Sequence, residues 1–73
     1  MSLVYRKVDL LLSANAGGEI QEGDCLLLDM GRLPREGELA LVKRGKGEAL
    51  CRWSEERGDD EAVGVVIGVK RRL

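Results

Sequence analysis

Turn signals recur along this chain at nearly even spacing, and that spacing constrains the fold more than any other feature. Gly17-Gly18, Gly23, Gly31, Pro34, Gly37, Gly45, Gly47 and Gly58 separate a series of short apolar runs. Short runs divided in this way are the mark of an all-β sandwich or barrel. Five strands are expected, over 3–12, 24–29, 38–44, 47–53 and 62–70. Between the first two, the paired glycines exclude a regular helix and predict an irregular loop pinned by Ile20. Pro34 falls in a loop where its missing N–H spoils no ladder. Arg44-Gly45-Lys46-Gly47 reads as a tight hairpin, because glycine supplies the positive φ that such turns need.

Within the strands, period-two alternation assigns the faces. The fourth puts Ala49, Cys51 and Trp53 on one side and Glu48, Leu50 and Arg52 on the other, with Trp53 as a core anchor. The fifth puts Val63, Val65, Ile67 and Val69 on one side. Its other side, Ala62, Gly64, Val66 and Gly68, is a small-residue face that another backbone could approach closely. That face reads equally as tight internal packing or as a subunit contact.

With 73 residues the chain has room for one domain over 1–73 and one core. A domain of this size buries only about 60% of the surface its unfolded chain exposes. With no Phe, one Trp and one Tyr, the core is thin, which favours self-association. A net charge of −1 and a pI near 5.4 give no overall basic field. Cys25 and Cys51 stand far apart in a chain without histidine, which argues against zinc and predicts two buried free thiols, as suits a cytoplasmic protein. Arg6-Lys7 before Leu10-Leu11-Leu12 imitates a signal peptide, but Asp9 leaves the apolar run too short. No run approaches the roughly 18 apolar residues of a membrane span. The opening Met-Ser-Leu reads as a cloning scar on a fragment of a longer protein.

Four segments in order carry a family likeness. They are Ile20-x-x-Gly23-Asp24-x-Leu26-Leu27-Leu28-Asp29, Pro34-x-x-Gly37-Glu38-Leu39-Ala40, Gly47-Glu48-Ala49-Leu50-Cys51-Arg52 and Val63-Gly64-Val65-Val66. Together they resemble the C-terminal, peptidase-like domain of LexA-type and phage repressors, which shares its fold with signal peptidases. The resemblance implies a small, strongly bent β-barrel or sandwich. It also implies a regulatory and dimerisation domain, with DNA contacted through an upstream helix-turn-helix domain outside this chain. On that reading the partners are a second copy and an antirepressor or other regulatory protein. Gly64, Val66 and Gly68 on the closing strand are then the candidates for the dimer interface.

The chemistry of that family needs a serine nucleophile and a lysine desolvated enough to accept its proton. By the resemblance, the serine belongs ten residues before Asp24, where this chain has Ala14, and Ser13 misses the register by one. The methionine that usually follows is replaced by Ala14-Asn15-Ala16. The lysine falls on Cys51, and a thiol cannot serve as base to a serine. Loss of self-cleavage is therefore expected, with no cofactor and no metal. The family's cleavage dipeptide lies upstream of the nucleophile, and the Ala16-Gly17 step is on the wrong side of Ser13.

Several other readings compete. Ser13 would act in a self-cleaving peptidase if an insertion near Gly17-Gly18 restored its register. Lys43 and Lys46 read as solvated hairpin charges. Cys51 lacks the histidine that activates a thiolate, and Arg52 points to the opposite face. Asp24 reads as a turn cap and 59–61 as a solvated run, not a cation site. Lys43, Arg44 and Lys46 with Lys70, Arg71 and Arg72 form the basis of a nucleic-acid-binding small barrel, although only Tyr5 and Trp53 could stack bases.

Overall fold

The computed structural model describes residues 2–14, 16, 18–56 and 58–71. Five strands and one short helix follow in the order β1 (Leu3–Lys7), α1 (Leu10–Ala14), β2 (Cys25–Asp29), β3 (Leu39–Arg44), β4 (Gly47–Arg52) and β5 (Glu61–Lys70). The mainly β character and the number of strands are as the turn spacing predicts. All five strands belong to one antiparallel sheet of order β1-β2-β5-β3-β4. The sheet is bent and does not close into a barrel: β1 and β4 remain its two edges.

The first strand is shorter than expected. It stops at Lys7, and Asp9 starts a helical turn in its place, its carboxylate accepting the Leu12 N–H at 2.8 Å. This is the usual role of an aspartate at a helix N-cap, and it redirects the following Leu10-Leu11-Leu12 out of the sheet. The hairpin between β3 and β4 pairs Arg44 with Gly47, so its loop is Gly45-Lys46. Gly45 has φ +59° while no non-glycine residue has positive φ. That combination is a type II′ turn, whose first central position favours glycine.

The face carrying Leu26, Leu28, Leu39, Leu41 and Leu50 is covered by the segment after β1. Val8, Leu12, Ala16 and Ile20 supply that cover, four residues apart, and all four are buried. The opposite face has a smaller core of Ala40, Val42, Ala49 and Trp53, with Cys51 and Ala62 packed against it. Trp53 is thus the anchor its alternation predicts, and β4 splits its faces as expected.

β5 departs from simple alternation. It lies at the centre of the sheet, and its register shifts once against β3, between Leu41 and Val42, and once against β2, between Leu27 and Leu28. Each bulge moves the side-chain phase by one residue. Val63 and Val66 consequently pack on the same core, while Val65 stands opposite Ala40 on the other face.

Candidate functional site

The two edges of the sheet meet across the face that α1 covers. Arg6 of β1 and Glu48 of β4 form an ion pair at 2.7 Å, with a second contact at 3.4 Å. β1 and β4 are separated by three strands in the sheet, so this contact requires the sheet to curl about its larger core. The Glu48 carboxylate, through its hydrogen bond, holds the Arg6 guanidinium above its ordinary pKa. The groove at this junction is lined by Arg6, Asp9, Leu12, Lys43, Glu48 and Val63. Its charged groups are largely spoken for: Arg6 and Glu48 neutralise one another, and Asp9 caps α1. Lys43 and Lys46 stand exposed on its rim, with no ion pair among the described residues.

The residues at the predicted catalytic positions do not converge on this groove. Ser13 is the penultimate residue of α1, and its hydroxyl donates to the Leu10 carbonyl at 2.9 Å. Among the described residues, no lysine or carboxylate bonds to it. Ala14 ends the helix. Leu12 of the same helix packs with Leu50 in the larger core, whereas Cys51 belongs to the smaller core on the far face. Burial pushes the Cys51 thiol up, Arg44 beside it pulls it partly back, and Asp60 opposes that pull. The thiol is therefore held protonated, the reverse of an activated nucleophile. Cys25 and Cys51 are both free and only half-buried.

The carboxylates that open the strands are structural. The Asp24 carboxylate is buried, accepts the Gln21 N–H at 2.9 Å and pairs with Arg71 at 3.2 Å. Arg71 and the Gln21 N–H together draw its pKa down. Glu38 accepts a two-pronged contact from Arg32, at 2.8 and 2.9 Å, and the Arg35 N–H at 2.7 Å. Those bonds lower its pKa to about 2. Both residues thus tie loops to strands, and no group of three metal-ligating side chains occurs among the described residues.

The basic residues do not form one patch. Lys43 stands opposite Glu61 at one end of β5 and Lys70 lies at the other end, nine residues along. At about 3.3 Å per residue the two clusters are roughly 30 Å apart. Arg44 is held by Asp60 at 2.7 Å and Arg71 by Asp24. Arg72, Asn15 and Gly17 lie outside the described residues. Trp53 is buried, so Tyr5 alone of the two large aromatics is available to stack on a base.

The proposed pairing residues are placed unevenly. Gly64 is buried, and a Cβ there would stand 2.8 Å from the Met30 sulfur and 3.3 Å from the Asp29 carbonyl oxygen. Val66 is half-buried against the larger core, and Gly68 lies beside the Leu27 Cβ at 3.7 Å from an added methyl. Packing within the chain accounts for the Gly64 position. Among the described residues, no helix is long and apolar enough to cross a membrane.

No protein-family model, curated protein or solved structure matches this chain.

Proposed function

We propose that the chain is a non-cleaving regulatory and dimerisation domain of a LexA-type or phage-repressor-like transcriptional regulator. One observation carries this reading. The four segments that resemble the family form β2 to β5 in a single bent sheet, and the helix bearing Ser13 and Ala14 packs on the face of β4 opposite Cys51. Among the described residues, no serine and base come together in this arrangement, since Ser13 bonds to the Leu10 carbonyl and Cys51 lies on the far face, which supports a domain that does not cleave. What such a domain can still do is bind: a second copy, an antirepressor, or another regulatory protein. DNA would be met through an upstream domain, and the cytoplasm is the compartment this role implies.

The test is a fusion of the chain behind a DNA-binding domain that represses only as a dimer, scored on a reporter. Repression is expected, and Ser13→Ala should repress equally. Incubation of the fusion at alkaline pH should leave its mass unchanged. A reporter that stays fully active would overturn the dimerisation reading, and cleavage abolished by Ser13→Ala would restore the peptidase reading.

A further inference from the structure

We infer that the open edge of β1 pairs with β1 of a second copy, antiparallel about a two-fold axis through Tyr5. This deepens the dimerisation reading proposed above and rests on it.

The hydrogen-bond ladder shows which main-chain groups are open. Met30 N–H donates to the Ser2 carbonyl at 2.8 Å and Val8 N–H to the Asp24 carbonyl at 2.8 Å. In an antiparallel pair the bonded residues alternate, so residues 2, 4, 6 and 8 face β2. The N–H and C=O groups of Leu3, Tyr5 and Lys7 therefore point away from the sheet. The opposite edge is less available, because its Glu48 and Arg52 are charged and held by Arg6 and Glu19, and Arg52 also donates to the Gly37 carbonyl. Of β1 only Arg6 is so held among the described residues, and only Arg6 lines the groove between the edges. Leu3, Val4 and Tyr5 are 48%, 44% and 69% exposed, an apolar edge of the kind that recruits another strand.

The occupant is argued from charge and register. With Tyr5 opposite the partner's Tyr5, Val4 stands opposite Arg6 and Leu3 opposite Lys7, so no like charges face each other directly. The Tyr5 pair and the two Leu3–Lys7 pairs would make about six main-chain hydrogen bonds. On one face, Leu3 stands between Asp29 of its own chain and Lys7 of the other. The Asp29 carboxylate is buried and taken by the Gly31 N–H and Arg32, so the Lys7 stem lies over the apolar Leu3 with its ammonium in solvent. The next row on that face, Tyr5, Tyr5 and Leu27, is apolar and ends at Gly68, which leaves Leu27 accessible. Lys7 has no ion-pair partner within its own chain among the described residues, so the contact costs it none.

The test is sedimentation equilibrium of the whole chain at micromolar concentrations, with three variants. Tyr5→Pro removes an N–H that only a partner strand would use, and a proline facing an open edge leaves the β1–β2 ladder intact. Tyr5→Lys sets like charges opposite each other without touching the backbone. Ile67→Lys charges a different exposed apolar side chain, on β5. A wild-type dimer whose dissociation constant rises at least tenfold in both Tyr5 variants, and stays unchanged in Ile67→Lys, is expected. A dimer unaffected by either Tyr5 variant overturns this surface and leaves the dimerisation reading standing. A wild-type monomer at all concentrations overturns both. If Tyr5→Pro does not fold, Tyr5→Lys alone decides.

Discussion

Gly64→Ala separates packing inside the chain from pairing between chains. The added methyl would meet the Met30 sulfur at 2.8 Å, the Asp29 carbonyl oxygen at 3.3 Å and the Leu28 Cβ at 3.6 Å. The sulfur is part of a flexible, half-buried side chain and can move aside. The carbonyl belongs to the β2 end and can yield only by shifting backbone. Against this, alanine is better than glycine in a strand by roughly 0.5–1 kcal/mol, because the unfolded chain has less freedom to lose. Overfilling a packed site costs about 1–3 kcal/mol. The balance is a loss of about 1–2 kcal/mol, and for a domain of this size each kcal/mol lowers Tm by roughly 4–8 °C. Thermal unfolding followed by circular dichroism should therefore show a fall of roughly 4–16 °C. Met30→Ala in the same chain should recover part of that loss, so the double variant is less destabilised than the two singles summed. A Gly64→Ala protein as stable as the wild type, but with weakened self-association, would refute the reasoning and return Gly64 to the subunit contact.

Two further outcomes follow from the charged and thiol groups. Glu38 has its pKa lowered to about 2 by Arg32 and the Arg35 N–H, from an ordinary 4.5. A depressed carboxylate stabilises the fold fully above its unfolded pKa and loses that contribution as the pH falls toward its folded value. Wild-type Tm should therefore drop between pH 4.5 and 2, and Glu38→Gln should show a shallower drop, with Asp24 supplying the remainder; parallel melting curves would count against the Arg32 contact. Burial raises the Cys51 thiol, so in a Cys25→Ser background its alkylation by iodoacetamide at pH 8 should be slower than that of free cysteine; faster reaction would reveal an activated thiolate.

Much of the sheet was legible in the sequence, because the turn residues and the alternation act locally. Gly45 set the hairpin, and Ala49, Cys51 and Trp53 announced one face of β4. The end of β1 was missed since Leu10-Leu11-Leu12 continues an apolar run. The signal was Asp9, an N-cap residue directly before that run, together with Val8, Leu12, Ala16 and Ile20 at intervals of four. The phase of β5 was not legible, because its two bulges are made by neighbours far away in sequence. The same holds for the candidate site: nothing local announces that Arg6 and Glu48, 42 residues apart, will meet.

That meeting also explains how one chain can have an open edge without a fully open sheet. Curling brings one face of β4 under α1 and ties its Glu48 to Arg6, while Leu3 to Tyr5 on the other edge face outward. Among the described residues, β2 is the element that packs against β1, and none covers its outer edge. An exposed apolar edge is a hazard unless something pairs with it, and lysine beside it is a common guard against indiscriminate pairing. Lys7 fits that role in a particular way: it stands opposite Leu3 in the two-fold register, and moving the two-fold axis from residue 5 to residue 7, a slip of four residues between the strands, would set Lys7 against a second Lys7. The same side chain that packs over Leu3 in one pairing thus penalises the pairing centred on its own position, and closure about a two-fold axis makes the assembly a dimer.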